Sequence, residues 1–219
     1  MIQTMQKLVQ RHWGMFLQGA WVTLYTSFFS VLLGTLFGSF FCLMRLSKIK
    51  PLRWISATYI EIIRGTPLML QLWFFTLLPT AMGFELPLYT CVLFALVVNS
   101  SAYVAELIRS GIQSVDPGQA EAARSLGLSG SQTMLRIVLP QAVRNILPAL
   151  GNEFVMIIKE TSLLSVFMIG DLMTVNSLLK AAYYLTLESL IIVAIIYFVL
   201  TFTLSKLVAA FERRMARSD

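Results

Sequence analysis

Two carboxylates in one apolar stretch, Glu153 and Glu160, have the strongest claim to chemistry in this sequence. On a helix their spacing puts them on one face, about 10.5 Å apart along the axis. Asn152 and Lys159 repeat the spacing on a neighbouring face, and Thr161 and Ser162 follow directly. An earlier apolar stretch adds Asn99, Ser100, Ser101 and Tyr103, with Glu106 and Arg109 at pairing distance. Ionisable groups inside apolar runs are functional candidates because lipid solvates them so poorly. The chemistry they suit is recognition of a zwitterion. Acidic groups on a dry face would hold an ammonium or a cationic side chain. Backbone N–H groups near a helix break would hold a carboxylate. The candidate binding set is therefore Asn99, Glu153, Glu160, Thr161 and Ser162. Each position also has a structural reading. Glu160 can pair with Lys159, and Glu153 can be solvated at the cytoplasmic interface. Ser100 and Ser101 can serve close helix packing. Asn99 is a costly residue to leave unpaired in lipid.

Bond-making chemistry has no comparable support. The sequence offers no paired nucleophile and base, and its single histidine, His12, has no second metal ligand in view. Cys42 and Cys91 sit in separate apolar runs and make no disulfide framework. The expectation is a chain that is not an enzyme and binds no metal.

Composition says what must position these residues. Of 219 residues, 57% are hydrophobic and 13% charged, with mean hydropathy +0.75. A soluble domain is about half apolar and about a quarter charged. The net charge of +6 comes from basic residues in short loops between apolar runs, which argues for topology control over nucleic-acid binding. The first apolar run is too long for the core of a cleaved signal peptide. At about 20 apolar residues per crossing, five spans are expected, at about 18–44, 55–78, 88–109, 149–172 and 188–210.

The connections alternate in charge. The first holds Arg45, Lys48, Lys50 and Arg53, and the second holds Glu85 without a base. The third holds Arg109, Arg124, Arg136 and Arg144, the fourth Lys180 alone, and the tail Arg213, Arg214 and Arg217. Basic loops stay cytoplasmic, so the N-terminus is expected outside and the C-terminus inside. Lys7 and Arg11 are outer exceptions that would lie along the membrane surface. Five helices without an internal repeat do not enclose a sealed path, so a second chain is expected, as in two-fold dimers.

The third connection, residues 110–144, is the least membrane-like segment. Asp116 is a good N-cap, Pro117 suits the first helical position, and Gln119 would complete a capping box. Gly127 would end that helix in the left-handed conformation. Ser129 with Gln132 would cap a second helix, which must end or kink before Pro140. The faces carry Ala122, Ala123 and Leu126, which an ordinary loop would not expose. In span two, Pro67 breaks the helix ladder, Gly65 and Thr66 can re-satisfy its backbone, and Glu61 and Arg64 can pair.

The loop resembles the EAA motif of ABC importer permeases, EAA-x3-G-x9-I-x-LP. Its fixed positions are Glu121, Ala122, Ala123, Gly127, Ile137, Leu139 and Pro140. EIIRGTPL (from Glu61), NSSAYVAELIR and NEFVMIIKETSLL resemble the polar amino acid uptake branch, and the likeness runs from Gly19 to Arg214. The resemblance implies an all-α membrane protein of the type I importer permease kind, one transmembrane domain over residues 1–219. It implies a multi-pass chain in the bacterial inner membrane that imports a polar amino acid. Its partners would be a second permease chain, an extracytoplasmic substrate-binding protein, membrane lipid and two ATP-binding subunits gripping the loop. ATP and Mg would sit on those subunits, since this chain has no phosphate-binding loop and is expected to carry no cofactor. The competing reading is an ion-gradient-driven carrier that uses Glu153 and Glu160 as ion sites.

Overall fold

The computed structural model describes residues 1–216, so Arg217 of the basic tail lies outside it. Helix α1 spans Ile2–Leu46, α2 Lys50–Arg64, α3 Leu68–Ala81 and α4 Leu88–Gln113. After α5 (Pro117–Ser125) and α6 (Gly130–Thr133), a π-helical turn over Met134–Val138 leads into α7 (Leu139–Glu160). A 3-10 stretch, Thr161–Phe167, precedes α8 (Leu172–Tyr183) and α9 (Thr186–Ala216). No strand occurs among the described residues.

Helices α1, α4 and α9 are long and apolar enough to cross a membrane. The second and fourth expected spans are not continuous helices. The α2–α3 pair bends by 108°, and the segment Gly130–Phe167 meets α8 at 42°. At the first break, Pro67 has no N–H to donate and drives Thr66 out of helical geometry. At the second, Met168 (φ 52°) and Gly170 (φ 93°) turn the chain. Buried Asp171 then caps α8, accepting from the Met173 amide at 2.8 Å and from the Thr174 hydroxyl. Lys180, expected in a loop, lies on α8.

Helix α1 also starts earlier than expected. It bends at His12 (φ −124°, ψ 18°), so Lys7 and Arg11 lie on an extension of the first span. His12 Nε2 lies 3.0 Å from the Tyr183 hydroxyl, and Arg11 sits over the Tyr183 ring.

Helix α1 carries its small residues on one side. Gly19, Thr23, Thr26, Ser27, Ser30, Gly34, Gly38 and Cys42 are buried, while Trp21, Phe28, Leu32, Leu36, Phe40 and Leu43 are exposed. Lipid tails are as apolar as leucine, so helices associate in bilayers by close backbone approach and not by hiding large apolar groups. Helix α4 answers with Ser100, Ser101 and Ala105. A Cβ on Gly34 would stand 2.5 Å from Ser100 Oγ, and one on Gly38 would stand 2.8 Å from the Ser101 carbonyl. Ser27 and Ser30 donate within their own helix, to the carbonyls of Thr23 and Thr26 at 2.7 Å, whereas the Thr23 hydroxyl accepts from the Leu172 amide and the Thr26 hydroxyl meets that of Tyr89, each at 3.2 Å. The packing reading of Ser100 and Ser101 therefore holds.

This contact predicts a sharp contrast between two glycines of α1. Gly38→Leu must push α4 backbone aside, which costs about 1–3 kcal/mol. Gly14→Ala meets nothing within 4 Å. Thermal unfolding in detergent should show a lower midpoint for the first variant and none for the second; equal midpoints would refute the packing account.

Candidate functional site

The loop after α4 folds as two capped helices. Asp116 caps α5 by accepting from the Gly118 amide at 2.8 Å. The expected capping box with Gln119 does not form, because the Asp116 side chain turns to Gly118 and Gln119 bonds only the Asp116 backbone carbonyl. At the other end Gly127 has φ 87°. Its N–H donates to the Arg124 carbonyl at 2.9 Å and that of Leu128 to Ala123 at 3.1 Å. This pair of bonds is the Schellman closure that a left-handed residue makes possible. Ser129 and Gln132 do form a reciprocal capping box, at 2.9 and 3.3 Å.

The second helix does not stop before Pro140. Proline removes the N–H that would bond the Arg136 carbonyl, and its ring crowds that carbonyl. The helix accommodates it by widening to a π turn, in which the Leu139 N–H reaches back to Met134. The Gln141 side chain donates to the Ile137 carbonyl at 2.9 Å. From Gly130 to Phe167 the chain is thus continuously helical with changing pitch.

Val115, Val138, Ala142 and Ile146 form a small core under the loop. Asn145 Nδ2 donates to Ser114 Oγ at 2.9 Å and ties the start of α7 to the end of α4. Ala123 turns inward and is buried, contrary to its expected exposure, whereas Ala122 and Leu126 (84% exposed) face outward. Pro140 is exposed, and Ile137 and Leu139 are half-buried. The Glu121 carboxylate is exposed and meets no cation or N–H group among the described residues.

Deeper in the bundle, the α2–α3 break is closed by a residue that sequence reasoning passed over. Gln71 is 5% exposed. Its Nε2 donates to the Ile63 carbonyl at 2.8 Å, the Thr66 carbonyl at 3.1 Å and Thr66 Oγ1 at 2.9 Å. Its Oε1 accepts from Asn99 Nδ2 at 2.9 Å. The signal was one amide in the run LMLQLWFFTLL, four residues beyond Pro67. Thr66 contributes as expected, donating to the Ile62 carbonyl at 2.9 Å. Arg64 does not pair with Glu61. It lies over the Tyr103 ring and 3.9 Å from Glu106, which also holds Arg109 at 2.5 and 2.8 Å.

The acidic helix α7 places its two carboxylates differently. Glu153 is 7% exposed, so it is not a solvated interfacial residue. Its contact is with Ser100 Oγ at 3.5 Å, and no cation pairs with it among the described residues. Glu160 makes no ion pair with Lys159, which is exposed. Glu160 and Ser162 line an open cavity of about 340 Å³ with Met156, Lys159 and Leu163. Thr161 is buried, and its hydroxyl donates to the Ile158 carbonyl at 2.6 Å. Asn99, bonded to Gln71, and Ser100, in contact with Glu153, are therefore consecutive residues of α4. Glu160 and Ser162 share a separate opening, and Thr161 faces into packing.

Comparison with known proteins follows this geometry. Residues 30–217 match the family described as binding-protein-dependent transport system inner membrane component. The arginine transport system permease protein ArtQ of Bacillus subtilis is 39% identical over 93% of this chain and 93% of its own length. The probable glutamine ABC transporter permease protein GlnM of the same organism is 39% identical over 94% and 96%. A crystal structure of an amino acid ABC transporter with histidines superposes with TM-score 0.91 at 46% identity, covering 93% of this chain and 95% of that one. The MetNI methionine ABC transporter in an inward-facing form shares the fold at 18% identity, with TM-score 0.69 over 91% and 97%.

The α6 cap can be tested alone. Ser129→Ala removes the acceptor for the Gln132 amide and should cost the local helix about 1 kcal/mol. Hydrogen exchange should speed up at α6 and leave α4 protected; unchanged exchange at α6 would show that the cap does not hold it.

Proposed function

This chain belongs to the family of inner membrane components of binding-protein-dependent transport systems, and we propose that it carries a polar amino acid across the bilayer by alternating access. It is the permease subunit of an ABC importer in the bacterial inner membrane, a transport component and not an enzyme. Membership sets aside the ion-gradient carrier, which would need no docking loop. Relatives at 39% identity include permeases named for arginine and for glutamine, which supports a polar amino acid as cargo.

In this reading the chain crosses five times, through α1, the α2–α3 pair, α4, the α7–α8 pair and α9. The distribution of lysine and arginine favours an outer N-terminus and a cytoplasmic C-terminus. A second permease chain, identical or related, completes the path. An extracytoplasmic binding protein delivers the substrate. Two ATP-binding subunits dock on residues 110–144, gripping the elements built by Glu121, Ala122, Ala123, Gly127, Ile137, Leu139 and Pro140. Asn99, Glu153, Glu160, Thr161 and Ser162 form the substrate region, with Thr161 as packed wall and Glu153 as the main counter-charge.

One observation carries the reading. The continuous helical segment from Gly130 to Phe167 begins in the exposed loop and carries both Glu153 and Glu160. A motor that moves the capped loop moves the acidic face with it. The buried Glu153 carboxylate is costly to leave without a cation, and a substrate ammonium would relieve that cost.

The test is uptake by proteoliposomes containing the complex with its ATP-binding subunits. Gly127→Ala strains the left-handed turn by about 1–2 kcal/mol, and Glu121→Ala removes the exposed charge. Both variants should insert normally yet lose coupled uptake; normal uptake with normal motor binding would refute loop docking. Glu153→Gln should weaken substrate binding by about tenfold or more, the scale of one hydrogen bond to a charged group. Unaltered affinity in that variant would remove Glu153 from the site.

A further inference from the structure

We propose that Gln71 is a positioning residue that fixes the amide of Asn99, so that Asn99 offers its Oδ1 and not its Nδ2 to a cationic group of the substrate. The inference rests on the reading that Asn99 belongs to the substrate region.

The orientation follows from a chain of obligatory partners. The carbonyls of Ile63 and Thr66 can only accept hydrogen bonds. Both lie within 3.1 Å of the end of Gln71, so that end must be the NH2 group. Thr66 Oγ1 spends its proton on the Ile62 carbonyl and also accepts from Gln71. The other terminal atom of Gln71 is therefore the oxygen, which can only accept. Asn99 meets that oxygen at 2.9 Å and must present its own NH2 there. Its Oδ1 is left pointing away from Gln71 and takes no donor among the described residues. The residue is 3% exposed, so this acceptor sits in the interior of the bundle.

The polarity matters because a reversed amide would offer two N–H donors, which repel an ammonium and attract a carboxylate. Asn99 alone has no means of choosing between the two orientations. The choice is made by two backbone carbonyls freed at the α2–α3 break and relayed through Gln71. One residue along α4, Ser100 contacts Glu153, an acceptor with no cation partner among the described residues. The free Oδ1 of Asn99 and the Glu153 carboxylate beside Ser100 are both acceptors, a polarity that suits a cation and disfavours an anion.

The test uses the permease assembled with its ATP-binding subunits in nanodiscs, with L-arginine and L-glutamine as probes in direct binding measurements. Gln71→Met keeps the side-chain length but frees the Asn99 amide, and affinity should fall about tenfold. Asn99→Leu should cause a similar loss, and Gln71→Met should add nothing in that background, as non-additivity requires of a residue acting through another. Gln71→Glu still offers Asn99 an acceptor and should keep wild-type affinity, although both Gln71 variants weaken closure of the break and lower thermal stability. A loss in Gln71→Glu equal to that of Asn99→Leu, or additive losses in the double variant, would overturn the positioning role. Should Gln71→Met fail to assemble, the comparison of Gln71→Glu with Asn99→Leu still decides. Sensitivity to Glu153→Gln and Asn99→Leu without sensitivity to Gln71→Met would refute Gln71 alone. Failure of both probes to bind, or indifference to Glu153→Gln and Asn99→Leu, would refute the substrate region itself.

Discussion

A bilayer supplies no hydrogen bonds, so a helix broken inside it must close its backbone with its own side chains. Gln71 meets this constraint at the α2–α3 break, holding the freed carbonyls of Ile63 and Thr66. Asp171 meets it at the second break, where it caps α8. Because both closures are polar and buried, they also fix direction. The Gln71 clamp reaches Asn99 on α4 and ties the break to the helix that faces α1. The bent spans are therefore ordered elements whose geometry is set by a few amide and carboxylate groups.

The same absence of solvent explains the α1–α4 contact. With no hydrophobic gain between helices, association depends on how closely backbones approach. Gly34 and Gly38 let α1 come in against Ser100, Ser101 and Ala105 of α4. Once this seam is set, Ser100 is directed to Glu153, and Tyr59 donates to the Val98 carbonyl at 2.9 Å. Close packing thus decides which polar groups meet inside the bundle.

The loop between α4 and α7 joins this interior by covalent continuity. Its two helices are held by local bonds, a Schellman closure at Gly127 and a capping box at Ser129. The π turn before Pro140 keeps the second helix connected to α7, where a sharp kink would have separated them. Helical backbone therefore runs without interruption from the loop to Glu153 and Glu160.

Local features were legible in the sequence because their causes are local. Apolar run length marked the membrane segments, and cap residues at fixed offsets marked α5 and α6. The left-handed Gly127 and the break at Pro67 were legible for the same reason. The EAA spacing identified the family. Where two partners were close in sequence, the inference still failed if a distant one competed: Arg64 lies within reach of Glu61 but turns to Glu106 and Tyr103. Proximity along a helix permits a pair without choosing it. Gln71 escaped notice because its three acceptors and one donor converge only after α2, α3 and α4 have packed. Likewise, a carboxylate in an apolar run can be solvated or buried, and only the tertiary structure put Glu153 out of water without a cation. The sequence by itself determined which residues were available and where helices start and stop, since those depend on neighbours along the chain. Which polar group faces which was decided by the fold, because in a dry interior the nearest partner in space sets the orientation of every amide and carboxylate.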